Sequence, residues 1–169
     1  MIDAEYAGLM ARYNQWMNRK LYAACATLSD AERRADRGAF FKSIHGTLNH
    51  LMFADEAWLR RFSGRSLDGL AIGVELFPDF DAMRARRETL DEDLIVLAAS
   101  FTPEWLAADF SFHSMGLGKT FTRPAWTLVT HLFNHQTHHR GQLTTLMTQV
   151  GLEVGLTDLA AMPGLAEPV

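Results

Sequence analysis

The stretch that decides the fold is PAWTLVTHLFNHQTHHRGQLTTLMTQV, residues 124–150. Pro124 suits the first turn of a helix, and Gly151 follows the stretch as a stop signal. On a wheel that advances about 100° per residue, Leu128 and Leu132 lie within about 60° of His135. The spacing therefore predicts one long amphipathic helix that carries histidine inside its apolar stripe.

Three further segments repeat apolar residues every three or four positions, namely residues 3–28, 42–62 and 79–101. Gly64 suits the end of the second segment, and Asp79 is a good N-cap for the third. Between the first two segments, Ser29 and Glu32 have the spacing of a capping box that opens a short helical turn. Four long amphipathic helices predict an all-α protein of the four-helix-bundle class.

One segment breaks the helical pattern before the last long helix. Residues 109–123 alternate apolar and polar side chains around Gly116 and Gly118, which predicts a short hairpin-like insert. Residues 64–78 are irregular and rich in glycine, and we expect a loop there. A chain of 169 residues fits one domain with a proper core, so we expect a single domain over 1–169.

Composition excludes several classes of function. The formal net charge is −4 and no basic stripe is present, which argues against nucleic-acid binding. Residues 124–139 lack acidic and basic side chains, but their Thr, Asn, Gln and His content argues against a membrane span. The acidic N-terminus does not look like a signal peptide, so we expect a cytoplasmic protein. Cys25 lies among small residues, and we expect a buried thiol.

Four of the seven histidines lie within nine residues of the last helix. His139 falls about 40° from His135 on the wheel, and both lie in the apolar stripe, whereas His131 and His138 fall to one side of it. Two imidazoles at positions i and i+4 point the same way and can bind one metal ion. The alternative is a pair of hydrogen-bonded core histidines, and His131 or His138 could replace a member of the pair.

A third nitrogen ligand should come from a neighbouring helix, and His50 is the best candidate. It shares a helix face with Ala54 and Trp58, where the small alanine leaves room for an imidazole to approach another helix. His45 lies about 140° away around the same helix and cannot face the same site. Three nitrogen ligands leave a coordination position open, as in catalytic zinc sites. Zinc or nickel is favoured, and iron would also accept this ligand set.

Several fragments, taken together in order and spacing, resemble the DinB-like family of bacterial proteins, also called DinB/YfiT-like metalloenzymes. They are residues 13–18 (YNQWMN), 47–51 (TLNHL), 54–59 (ADEAWL) and 134–142 (NHQTHHRGQ). The resemblance spans nearly the whole chain. It implies a four-helix bundle, often a homodimer, with a metal held at the positions of His50, His135 and His139.

The resemblance also suggests a class of chemistry. Related proteins include transferases and isomerases that use a low-molecular-weight thiol, which here would react with a small electrophile. The alternative is a non-catalytic metal-binding module of the stress response. Asp55 could support the metal ligands or act as an acid–base group, and Arg140 could orient a substrate carboxylate, but a surface or packing role is favoured for Asp55 and a structural role for Arg140. We expect Arg84, Arg86 and Arg87 to form a solvated helix face.

Overall fold

The computed structural model describes residues 2–165, and this part of the chain is mostly helical with one small sheet. The long helices are α1 (Ala4–Cys25), α3 (Ile44–Phe62), α4 (Phe80–Ala99) and α6 (Ala125–Thr148). Two short helices, α2 (Asp30–Arg34) and α5 (Pro103–Ala107), and the strands β1 (Asp109–Ser114) and β2 (Lys119–Pro124) connect them. A 3-10 turn at Leu159–Ala161 follows α6. The helical prediction is confirmed, as are the capping box of α2 and the hairpin.

Helices α1 to α5 begin where a short polar side chain accepts a hydrogen bond from a free backbone N–H, whereas α6 begins after Pro124 without such a cap. Asp3, Ser43 and Asp79 cap α1, α3 and α4 in this way. Helix α3 begins at Ile44 and not at 42, because Lys42 has a φ of 65° and lies in the left-handed region. Helix α1 ends at Cys25, three residues before its predicted end.

The four long helices pack around one core. Helix α1 contacts α4 and α6, and α3 also contacts α4 and α6. The most deeply buried side chains come from all four helices and include Leu21, Leu48, Leu90 and Leu143. The thiol of Cys25 is buried, as predicted, and lies 3.9 Å from the sulfur of Met147. None of the helices in residues 2–165 is long and apolar enough to cross a membrane.

A buried polar network lies inside this core, and it corrects the prediction for Arg87. Arg87 is only 2% exposed and pairs with Asp55 at 2.6 Å and with Asp91 at 2.8 Å. Asn14 and Asn18 of α1 donate hydrogen bonds to Asp91. The expectation of a solvated face is therefore wrong at Arg87, because two carboxylates from α3 and α4 offset the cost of burying its charge.

The same network reaches α6 through Arg140. Its guanidinium donates to the side-chain oxygen of Asn14 and, at 3.2 Å, to the hydroxyl of Thr137. It also lies over the ring of Tyr13, 5.1 Å from the ring centre. Arg140 is thus buried and ties α6 to α1, which agrees with the structural role expected for it.

The hairpin packs over one end of the helices. Strands β1 and β2 are antiparallel, with Phe112 opposite Phe121. Gly118 in the turn has a φ of 61°, a conformation that glycine adopts without strain. Phe112 contacts Trp58 of α3, with ring centres 5.1 Å apart. This contact places the hairpin as a wall beside the α3 and α6 helices.

Candidate metal centre

Three histidine side chains meet between α3 and α6. The Nε2 atom of His50 lies 3.2 Å from Nε2 of His135 and 3.2 Å from Nε2 of His139. The Nε2 atoms of His135 and His139 are 3.1 Å apart. The structure therefore brings together the three residues selected from the sequence, and they form a group that could hold a metal ion.

The distances between these three nitrogens fit those expected for ligands of one shared metal ion. With a metal–nitrogen distance of about 2.0–2.1 Å, two tetrahedral ligands lie about 3.3–3.4 Å apart and two ligands at right angles about 2.9 Å apart. The observed separations of 3.1–3.2 Å fall between these values. Three imidazole nitrogens that converge this closely suit zinc, nickel or iron, so the donor set does not distinguish these metals.

Burial keeps the three imidazoles in the neutral form that a metal requires. Burial, followed by the influence of His139 and His50, lowers the pKa of His135 to about 3. Burial and the proximity of His139 lower the pKa of His50 to about 4. Burial also lowers the pKa of His139. Because a second positive charge at this distance would be repelled, protonation of the trio is disfavoured.

Gln142 orients one of the three rings. Its side-chain oxygen lies 2.8 Å from Nδ1 of His139, and its side-chain nitrogen lies 3.2 Å from Nε2 of His138. An amide oxygen only accepts hydrogen bonds, so Nδ1 of His139 carries the proton and Nε2 presents its lone pair to the trio. This tautomer follows from the amide orientation. His138 contacts Gln142 and also meets the His139 ring edge-on at 4.8 Å, but it is not a member of the trio.

An aromatic cover lies on the other side of the trio. The ring of Phe41 stacks on His50 with ring centres 3.9 Å apart, and it meets His139 edge-on at 5.4 Å. Phe41 sits close to α3 because residue 46 is glycine: a Cβ there would lie 2.2 Å from the Phe41 carbonyl oxygen. Phe41 was not among the site residues predicted from the sequence. Its position before α3 is the only sequence signal, and the contact depends on the turn at Lys42.

A cavity of about 650 Å³ adjoins the trio. His50 and His135 line one part of it, and α3, α6, the hairpin and Ile72 of the loop before α4 form the rest. Its lining is largely apolar, with Phe53 and Trp58 from α3 and Leu128 from α6. Two of the three candidate ligands therefore face a space large enough for a small organic molecule.

The remaining histidines lie outside the trio. His45 is buried on another face of α3, where its Nε2 approaches Glu75 at 2.8 Å and the Phe77 carbonyl at 3.1 Å. His131 lines the cavity with its ring 5.5 Å from that of Trp58, and His113 lies in β1. These positions agree with the helical wheel, on which His45 and His131 lie apart from the trio.

Comparisons with known proteins agree with the resemblance seen in the sequence. A family model described as the DinB family matches residues 1–168. Protein DinB of Bacillus subtilis (strain 168) is 26% identical over 163 residues, which cover 92% of this chain and 92% of that relative. No solved structure matches the chain significantly. Because the family model spans almost the entire chain, this protein belongs to the DinB family.

Proposed function

We propose that the protein binds one divalent metal ion through His50, His135 and His139. The observation that carries this proposal is the convergence of the three Nε2 atoms within 3.2 Å of one another. Without a cation, three neutral histidines would bring three nitrogen lone pairs close together with few hydrogen-bond donors to satisfy them. A cation satisfies all three lone pairs at once. Zinc or nickel is the favoured ion, with iron as a third candidate.

We further propose that the protein is a metal-dependent enzyme of the thiol-dependent transferase or isomerase type. A bound divalent metal would supply the Lewis acidity that activates a thiol near neutral pH. The apolar side chains that line the cavity, including Trp58 and Phe112, would shield a bound small electrophile from water on the sides that they cover. Phe41 covers His50 on the opposite side, so access to the trio runs through the cavity.

The alternative is a metal-binding module of the stress response that performs no chemistry. A site without an adjoining space would favour it, whereas His50 and His135 line a cavity of about 650 Å³. This cavity is the reason to prefer the enzyme. We also propose that α1, α3, α4 and α6 form a four-helix bundle, which their ring of contacts supports. The family resemblance supports a homodimer, which light scattering would measure.

A transfer assay tests the enzyme proposal. Protein purified without an affinity tag is assayed for metal and then mixed with monochlorobimane and glutathione, cysteine or coenzyme A in turn. In the reaction the thiol sulfur bonds to the chloromethyl carbon, chloride leaves with the bonding electron pair, and the thiol proton passes to solvent. We expect the metal-loaded protein to accelerate conjugation of at least one thiol.

The matched controls are the chelated protein and the His135→Ala variant, in which we expect the acceleration to disappear. Metal-loaded protein that accelerates none of the reactions would contradict the transferase proposal. If chelation also removed most of the helical circular dichroism signal, the non-catalytic module would be favoured instead.

A further inference from the structure

We propose that the cavity beside the trio binds an elongated apolar molecule that carries one carboxylate, and that Arg61 binds this carboxylate. This inference deepens the proposed function by naming the substrate class of the same site. It rests on the proposed function only in treating the histidine end of the cavity as the reactive end.

The cavity is long and has different chemistry at its two ends. His50, Ala54, Trp58 and Arg61 all line it from one face of α3. Arg61 lies eleven positions after His50 on α3, which corresponds to a helical rise of roughly 16 Å. Helix α6 runs antiparallel alongside, since His50 meets His135 while Trp58 meets the earlier residue His131. The trio therefore lies towards one end and Arg61 belongs to the other.

Apolar side chains form the walls between these ends. They come from α3, the loop before α4 and the hairpin, and include Phe53, Ala57, Ile72, Phe112, Leu117 and Phe121. A volume of about 650 Å³ lies within the usual range of sites for small organic ligands. Walls of this kind favour a ligand with an apolar body of about ten carbon atoms or an equivalent ring system.

Arg61 has unused capacity to bind an anion. Its guanidinium lies over Trp58, 4.8 Å from the ring centre, and donates one hydrogen bond of 3.2 Å to the His113 carbonyl. Its buried Nε has no hydrogen-bond partner among residues 2–165. None of the ion pairs within this part of the chain includes Arg61. Burial lowers the pKa of its guanidinium. A carboxylate ligand would satisfy the free donors.

The charges that line the cavity select an anion. Arg61 and Arg123 are its two formally charged lining residues, and none of the lining residues in the described chain is Asp or Glu. Arg123 lies on β2, exposed, with its guanidinium 5.6 Å from the Phe121 ring centre. Arg61 is the deeper of the two. A planar guanidinium accepts a carboxylate through two parallel hydrogen bonds, which gives both affinity and orientation.

Calorimetric titration with decanoate, below its micelle concentration, tests the proposal. 1-Decanol serves as the neutral ligand of equal length. We expect saturable binding of one decanoate per chain, at least about tenfold tighter than 1-decanol, since a hydrogen-bonded charge pair contributes on that scale. Arg61→Gln should weaken decanoate binding about tenfold and leave 1-decanol binding unchanged. Arg61→Lys should retain part of the preference.

Lys119→Gln is the control for loss of a positive charge, since Lys119 lies in the hairpin near the cavity but does not line it, and this variant should bind decanoate normally. The proposal would be overturned by equal affinity for decanoate and 1-decanol or by the absence of decanoate binding. It would also be overturned if Arg61→Gln lost affinity for both ligands to the same extent. The last result would mean that Arg61 only holds the hairpin.

The titration is repeated with the zinc-loaded protein. If the protein prefers decanoate to 1-decanol both with and without zinc, and this preference requires Arg61, the result supports a carboxylate site that is separate from the trio. Protein that binds decanoate as expected but no metal would refute the proposed metal function alone. Protein that binds metal but shows no preference for decanoate would refute the carboxylate site alone.

Discussion

Replacing Gly46 with alanine should destabilise the protein, although alanine is the better helix former. The Cβ added by Gly46→Ala would lie 2.2 Å from the carbonyl oxygen of Phe41. Carbon and oxygen do not approach much closer than 3 Å, so the Phe41 backbone must move by roughly 0.8 Å. That carbonyl accepts a hydrogen bond of 2.7 Å from the N–H of Ser43, the cap of α3. The movement therefore also disturbs the start of the helix.

The expected loss is the balance of two terms. Overpacking of this kind costs about 1–3 kcal/mol. Alanine in place of glycine in a helix returns about 0.5–1 kcal/mol. We therefore expect the free energy of unfolding to fall by about 1 kcal/mol and at most about 2.5 kcal/mol, which in a domain of this size lowers the melting temperature by about 2–4 °C and at most about 10 °C.

Thermal unfolding followed by circular dichroism measures this loss, with Gly141→Ala as the matched control. Gly141 lies within α6, and a Cβ there would meet nothing within 4 Å. The control should gain about 0.5–1 kcal/mol from helix propensity alone. If Gly46→Ala were as stable as Gly141→Ala, the close approach of Phe41 to α3 would be wrong, and so would the cover over His50.

Three further predictions concern pH, the buried ion pair and the metal. In the metal-free protein, the pKa of His135 is about 3, against about 6.5 for an unfolded chain. Stability that is fully present above pH 6.5 is therefore lost on acidification, by about 1–2 kcal/mol per such histidine between pH 7 and pH 5. The melting temperature should therefore depend less steeply on pH in His135→Ala than in the wild type, which melting curves recorded at several pH values would measure. Asp55→Ala leaves Arg87 with one buried carboxylate and should cost about 3 kcal/mol in urea unfolding. Asp93→Ala is the control, because Asp93 forms an exposed ion pair with Arg86. Its free energy of unfolding should fall by less than about 1 kcal/mol. Chelation should lower the melting temperature but leave a folded helical protein at room temperature, because burial in the core supplies most of the stability.

A specific result would contradict each of these three predictions. Parallel pH curves for the wild type and His135→Ala would show that the histidine is not held neutral by burial. Equal losses in Asp55→Ala and Asp93→Ala would contradict the buried network. Unchanged melting after complete removal of the metal would mean that the ion does not link α3 to α6.

The helices and the trio could be predicted because both follow from local geometry. The helical period of α6 places His135 and His139 on its buried face, and the same argument separates His50 from His45 on α3. The predicted N-cap Asp79 gives the start of α4, and the predicted start of the second segment at 42 lies two residues before Ile44, where α3 begins. A change of helix register would have moved the histidines apart. Their meeting therefore also depends on how α3 packs against α6, and for that pairing the family resemblance added to the wheel geometry.

The features that the sequence did not reveal depend on contacts between distant segments. Arg87 looked like one of three surface arginines, because its partner Asp55 becomes a neighbour only when α3 packs on α4. Its other partner, Asp91, lies four residues further along α4, and that pair alone is also typical of an exposed helix face. The cover by Phe41 requires the left-handed conformation of Lys42 and the space left by Gly46. The cavity requires the hairpin to stand away from α3, and the alternation of residues 109–123 does not give its position.

The metal content of single histidine variants tests the central claim most directly. Protein purified without a tag and dialysed against zinc is analysed by mass spectrometry for the wild type, His139→Ala and His138→Ala. We predict one ion per chain in the wild type and in His138→Ala, and a large loss in His139→Ala, which removes one of three converging nitrogens. Equal metal content in all three proteins would contradict the assignment of His50, His135 and His139 as the metal site.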